Sequence, residues 1–421
     1  MIGIYRCMQN NIKRTAYTNE LIKWIDKPQV KVLTGIRRCG KSTVLALFKA
    51  ELLAQGKSAD QIISLSFESF STEQLKNANA LYKHLQLEMR AQQKYYLLLD
   101  EIQEVFEWEK AVNALLVDFD VDIYLTGSNA KMLSSELATY LAGRYVEMSM
   151  FTLSFEEYLD FQQSCFPDRQ QDLGQAFTNY LRKGGFPVVH ALPYEEEEAY
   201  REVRDIYASV LLRDTIQRHQ IRDVELLERV IRFTFDNIGN TFSGKSIADY
   251  FKSQFRKVDV NTIYNYLNAL EEAFVLHRVS RYDLKGKEIL KTQEKFYVSD
   301  LSLIHAMLGF RDRLISGLLE NLVFLELKRR GYAVYVGKLG DREIDFVAER
   351  SGAKVYIQVA YKLESNQTVD REFGPLLAIS DQYPKYVVTL DDFWTEDVLG
   401  VKHLHIRDFL GPAICMVNFL R

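Results

Sequence analysis

Eight consecutive residues, Gly35-Ile36-Arg37-Arg38-Cys39-Gly40-Lys41-Ser42, carry the spacing of a loop that wraps phosphate. They follow a short strand, Lys31-Val32-Leu33-Thr34, and lead into Thr43-Val44-Leu45-Ala46-Leu47-Phe48, which reads as a helix. Glycines let the backbone close on phosphate oxygens, and the helix N-terminus supplies free N–H groups and a favourable dipole. In that setting Lys41 reaches the β and γ phosphates and the Ser42 hydroxyl ligates Mg2+. Gly35 to Thr43 is therefore the candidate nucleotide-binding segment. Arg37 and Arg38 have two readings inside it, contact with phosphate or pairing with acidic neighbours.

Hydrolysis also needs a metal carboxylate and a group that orients water. Tyr95-Tyr96-Leu97-Leu98-Leu99 is apolar throughout, as expected for a parallel strand covered on both faces, and it ends in Asp100-Glu101. Carboxylates at the C-terminal edge of such a strand lie where open α/β sheets bind ligands. Asp100 would hold Mg2+ through its water shell, and Glu101 would orient or deprotonate the attacking water. The competing reading is that both acids only begin the next helix. A third strand, Ile123-Tyr124-Leu125-Thr126, delivers Gly127-Ser128-Asn129 to the same edge. Asn129 either bonds the γ phosphate or the water, or caps a helix. Arg144 follows a predicted helix; it stabilises transition-state charge within a subunit or across a subunit boundary, or is a surface ion-pair partner.

The elements that position these groups form several domains, because 421 residues exceed what one core organises. The predicted organisation is a P-loop core over 1–152, a helical lid over 153–220, a winged helix-turn-helix over 221–297, and a C-terminal α/β domain over 298–421. Gly184-Gly185-Phe186-Pro187 interrupts the helical lid with a turn, and Glu195-Glu196-Glu197-Glu198 reads as a solvated helix start. Ser243 to Phe251 and Asn261 to Leu267 read as two helices, followed by a hairpin around Lys285-Gly286-Lys287. In a DNA complex the second helix would enter the major groove and expose Tyr264, Asn265 and Asn268. Ten Lys/Arg against seven Asp/Glu over 241–296 is a modest excess for phosphate neutralisation, so packing against a protein is the alternative. In the last domain a helix over 318–327 places Glu320 on an apolar face, and Glu343 to Val347 and Tyr356 to Tyr361 alternate as strands do.

Together these motifs resemble the bacterial and archaeal AAA-type P-loop ATPases related to signal-transduction ATPases, a group with a C-terminal domain of unknown function similar to PD-(D/E)xK nucleases. The carriers are Thr34 to Thr43, Leu99-Asp100-Glu101-Ile102-Gln103, Thr126 to Asn129, Ala142-Gly143-Arg144, Phe151 to Tyr158 and Gly184 to Pro187. The resemblance spans nearly the whole chain. It implies an ATP and Mg2+ site built from Lys41, Ser42, Asp100 and Glu101, with Asn129 as a polar sensor and Arg144 as a phosphate-sensing arginine. It also implies a nuclease-like site at Glu320, Asp345 and Gln358. Where an active nuclease needs Glu-x-Lys, this chain has Gln358-Val359-Ala360, so the expected C-terminal fold is inactive unless Lys362 substitutes.

The functions left open are a nucleotide-driven switch acting on DNA or a protein partner, an ATP-gated nuclease, and an ATP-binding scaffold with little turnover. A net charge of −4 argues against DNA binding by the whole surface. Four scattered cysteines, with no CxxC pair, point away from zinc and disulfide frameworks and toward a reducing cytoplasm. The N-terminus lacks an export signal, and no stretch approaches the ~18 apolar residues of a membrane span. No Asn-Lys-x-Asp guanine-reading motif is present, and the choice of ATP over GTP rests on the resemblance.

Overall fold

The computed structural model describes residues 12–90, 92–130, 141, 143–169 and 172–411. The helix expected before Arg144, together with Ala142, Cys7, Cys415 and the N-terminal six residues, lies outside them. The chain divides into two units, the first ending at Thr152 and also including the short segment Glu272–Phe274.

The first unit begins with α1 (Thr15–Lys23), β1 (Val30–Thr34) and α2 (Lys41–Ala54), followed by β2 (Ile62–Ser66), α3 (Ala78–Glu88), β3 (Tyr95–Asp100), α4 (Trp108–Asp118), β4 (Val121–Gly127) and β5 (Tyr145–Ser149). The strands form one parallel sheet in the order β2-β3-β4-β1-β5. Every residue of β1 and β3 is buried, which is why β3 is apolar on both faces up to Asp100 and why the one lysine of β1, Lys31, is paired with Asp122. One core cluster joins Val30 and Val32 of β1, Leu97 and Leu99 of β3 and Leu125 of β4 to Leu81, Leu85, Val112 and Leu115 on α3 and α4. The pairings Thr34 with Gly127 and Ser66 with Asp100 bring the C-terminal ends of the strands level along one edge.

The second unit opens with helices α5 (Phe155–Cys165), α6 (Leu173–Lys183), α7 (Pro187–His190) and α8 (Glu196–Ser209), the last running into a π-helical segment, Val210–Gln217. Gly184 has φ +69°, and a Cβ there would lie 1.9 Å from Asp300 Oδ1, while the Gly185 N–H donates to Asp300 Oδ2 at 2.8 Å. The glycine pair read as a turn is thus also a docking point for a carboxylate that caps a later helix. Helices α9 (Val224–Asp236), α10 (Gly244–Ser253) and α11 (Val260–Glu272) precede the hairpin β6 (Leu276–Asp283) and β7 (Glu288–Val298). After α12 (Leu301–Leu308) and α13 (Ile315–Arg329) come β8 (Ala333–Leu339), β9 (Arg342–Arg350), β10 (Ala353–Ala360), α14 (Asn366–Leu377), β11 (Lys385–Thr389), β12 (Lys402–His405) and α15 (Ile406–Leu410).

The hairpin and the later strands make one seven-stranded mixed sheet, β12-β11-β10-β9-β8-β6-β7. Helix α13 is buried continuously from Leu318 to Leu327, including Glu320 and Glu326. Among the described residues no helix is long and apolar enough to cross a membrane. Cys39 is free and buried.

Candidate nucleotide site and a second buried lysine cluster

The phosphate-loop spacing of the sequence becomes a tight backbone wrap at the C-terminal end of β1. Gly35 has φ +155°, and a Cβ on it would sit 2.1 Å from the Met150 carbonyl oxygen, so no side chain fits there. Gly40, at φ +105°, turns the chain into α2. Arg14, buried ahead of α1, donates from Nη1 to the carbonyls of Cys39 (2.9 Å) and Phe151 (2.8 Å) and so fixes the loop from beneath. Nothing in local spacing pointed to Arg14.

Lys41 Nζ donates to the Gly35 and Ile36 carbonyls at 3.0 and 3.3 Å and lies 3.4 Å from Glu101 Oε1. Burial alone would lower its pKa, but surrounding negative groups, Glu101 among them, raise it, so the ammonium is held charged. Ser42 Oγ donates to Asp100 Oδ1 at 3.0 Å. Thr126 Oγ1 donates to the same oxygen at 2.6 Å, and Ser66 Oγ to Asp100 Oδ2 at 3.3 Å. Burial pushes the Asp100 carboxyl up.

Glu101 has the left-handed backbone φ 53°, sparsely populated for a residue with a side chain. Its N–H donates to Thr126 Oγ1 at 2.8 Å. Burial acts to raise the Glu101 pKa, yet Lys41, the Gln103 amide and the Arg37 guanidinium together hold it below the usual carboxylate range. Gln103 Nε2 bridges Glu101 Oε2 and Ser128 Oγ, linking the acid to the loop after β4. Asn129, two residues after Gly127, which pairs with Thr34 at the end of β1, is fully buried.

The structure therefore brings Gly35–Thr43, Asp100, Glu101 and Asn129 to one edge, and it adds Arg14, Ser66, Gln103, Thr126 and Ser128, which the sequence reading gave no role. Arg37 is buried and pairs with Glu68 at 2.7 Å, while Arg38 is exposed with φ 68°. Arg144 is not brought to this edge. It is exposed at the start of β5, where its carbonyl accepts from the Val30 N–H at the N-terminal end of β1. Five residues at ~3.3 Å each put it roughly 16 Å from the phosphate loop, so the expected role within one subunit is corrected. The strand direction is the reason, since phosphate lies at the opposite edge.

A second cluster lies in the second unit. Lys295 of β7, 2% exposed, donates from Nζ to Glu320 Oε1 (2.8 Å) and Asp345 Oδ1 (3.2 Å) and pairs with Glu343 Oε1 (2.9 Å). Glu320 and Asp345 thus meet on one ammonium, and Gln358 Oε1 accepts from the Asp345 N–H at 3.3 Å. Lys362 stands apart, exposed and 3.6 Å from Glu364. The lysine on the carboxylates comes from a residue the sequence reading had not considered.

Residues 27–159 match the model of an AAA domain, and residues 174–314 match a domain of unknown function. The chain is 37% identical over 400 residues to an uncharacterized protein of Haemophilus influenzae, covering 95% of this chain and 98% of that one. It is 31% identical over 352 residues to an uncharacterized protein of Methanocaldococcus jannaschii, covering 80% and 76%. Its fold is similar to that of a Walker-type ATPase of Pyrococcus abyssi, with a TM-score of 0.52 at 14% identity over 70% of this chain and 95% of the other.

Proposed function

From a chain that belongs to the AAA-domain family of P-loop proteins, we infer an Mg2+-dependent ATPase that uses Lys41, Ser42, Asp100 and Glu101 and whose nucleotide state is passed on to a DNA or protein partner. One observation carries the reading: a charged lysine, a hydroxyl–carboxylate pair and a second carboxylate meet at one sheet edge around a loop whose backbone leaves no room for a Cβ at Gly35.

Ser42 Oγ and Asp100 Oδ1 are hard oxygen donors 3.0 Å apart, the donor chemistry Mg2+ takes, and they would hold it directly and through water. The ion, when bound, neutralises charge on the phosphates. The remaining roles belong to the protein. Lys41 exchanges two backbone carbonyls for phosphate oxygens, which form stronger, charge-assisted bonds. That exchange releases Glu101 from the ammonium and leaves it held by Gln103, free to orient a water. Asn129 supplies a further amide at the same edge. Arg144, exposed at the other edge, acts on phosphate only if a second copy presents it.

The DNA reading rests on α11 and the exposed Lys285 and Lys287 in the turn between β6 and β7. Asn261, Asn265 and Asn268 are exposed on α11, Asn268 Oδ1 accepting from Arg278 Nη2 at 2.5 Å, whereas Tyr264 packs on Gly244. We place the protein in the cytoplasm, where ATP is supplied. Steady-state ATP hydrolysis by wild type and Glu101→Gln, with and without double-stranded DNA at two salt concentrations, tests the reading. Turnover lost in the variant supports the ATPase, and stimulation by DNA that weakens with salt supports the DNA partner. Equal turnover in both proteins would sink the assignment of Glu101, and nucleotide binding without turnover in either would favour a scaffold.

A further inference from the structure

The nuclease resemblance implies a divalent cation at the carboxylates of the second unit, and the side chains present do not fit one. Glu343 and Asp345 alternate on one face of β9, Glu320 faces them from α13, and the point on which their oxygens converge is the Lys295 ammonium. The distances, 2.8, 2.9 and 3.2 Å, are those of charge-assisted N–H···O bonds. A magnesium ion sharing these oxygens needs ~2.0–2.1 Å to each and would overlap the ammonium in both space and charge. The carboxylates are otherwise engaged as well. Asp345 Oδ2 accepts from the Val359 N–H at 2.9 Å, Glu343 Oε2 accepts from Thr241 Oγ1 at 3.0 Å, and Tyr297 OH donates to Glu320 Oε1. Gln358, standing where a further carboxylate would add negative charge, brings a neutral amide. Among the described residues no group of three or more His, Cys, Asp or Glu side chains is arranged to hold a metal.

We propose that Lys295 is a built-in cation: its ammonium occupies the centre of the Glu320–Glu343–Asp345 cluster, closes it to divalent metals, and leaves this half of the chain without metal-dependent phosphodiester hydrolysis. The lysine travels to the cluster on the β6–β7 hairpin, far in sequence from the Gln358-Val359-Ala360 segment where such a residue was sought. Its removal leaves three carboxyl groups without their ammonium, Glu320 and Asp345 buried and Glu343 35% exposed, hard oxygen donors of the kind divalent cations bind.

The test uses the full chain, free of nucleotide, as wild type, Asp345→Asn, Lys295→Met and Lys295→Met/Asp345→Asn. Mn2+ binding is followed by electron paramagnetic resonance and by the melting temperature, and any Mn2+ taken by Ser42 and Asp100 is common to all four. Wild type and Asp345→Asn are expected to bind Mn2+ alike. Lys295→Met gains a site, seen as an upward melting shift that grows with the logarithm of Mn2+ concentration and disappears in the double variant. Wild-type Mn2+ binding or DNA cleavage that Asp345→Asn abolishes overturns the proposal. So does a folded Lys295→Met protein that gains no site. If Lys295→Met does not fold, the wild-type and Asp345→Asn pair decides alone, equal binding supporting the closed cluster and Asp345-dependent binding refuting it.

Discussion

Lys41 and Lys295 are both almost wholly buried, at 3% and 2% exposure, and both meet carboxylates, yet they are held in opposite ways. Lys41 rests on two backbone carbonyls, with one carboxylate at 3.4 Å. Lys295 is closed in by three carboxyl groups, the farthest at 3.2 Å. Backbone carbonyls are partners that a phosphate can outbid, whereas three carboxyl groups, two of them buried, leave an ammonium no better place to go. A buried lysine beside acids is therefore not in itself a mark of chemistry. The exchangeability of its partners separates a ligand-binding group from a structural one.

The largest expected effect breaks the structural half of the comparison. Lys295→Ala strands the carboxyl groups and should cost about 3–5 kcal/mol of stability, read as a fall in the urea midpoint, while ATP turnover of the folded protein stays at the wild-type level. Next, Lys41→Ala should lower turnover by about 10²–10³-fold, the size of effect seen when a preorganised charge-stabilising donor is lost, with little change in the urea midpoint. If the two variants exchanged phenotypes, the comparison would be reversed.

A pH titration sharpens it further. Burial and the neighbouring Asp345 push the Glu320 carboxyl up to about 8, even beside Lys295, because it would be a third negative charge on a single ammonium. A group whose folded pKa is raised binds its proton more tightly when folded, so its stabilising contribution is complete below the ordinary carboxylate pKa and is lost as pH rises through about 8. Wild type should lose on the order of 3–4 kcal/mol relative to Glu320→Gln between pH 5 and pH 8, measured by unfolding both across that range. A constant difference would place the Glu320 pKa outside this window. The smallest effect concerns the open site. Gln103→Leu removes the amide that holds Glu101 and should lower kcat roughly fivefold with KM unchanged, the equivalent of about 1 kcal/mol for one hydrogen bond; a rise in KM alone would instead assign Gln103 to nucleotide binding.

The nucleotide site was the more legible of the two in sequence because its chemistry is local. An apolar strand, a glycine loop and a helix occupy some twenty consecutive residues, and each acid sits at the end of its own apolar run. Of the readings open for Arg144, the role within one subunit could be set aside only once the parallel pairing of β5 with β1 put it beside Val30. Lys295 was missed for a related reason. It lies 25 residues from Glu320 and 50 from Asp345, and only the inclusion of the β6–β7 hairpin in the same sheet as β8–β12 brings them together. Arg14 and Thr126 likewise reach the site through tertiary packing.

Cys39 sits inside the phosphate loop with no exposed surface, its Sγ 3.7 Å from the Met150 carbonyl oxygen, and burial raises its pKa so that the thiol stays protonated. Only the thiolate reacts with alkylating reagents, so a closed loop is chemically silent. The cysteine is in effect a clock within the loop: each alkylation of Cys39 records one opening of the backbone wrap, and bound nucleotide should slow it.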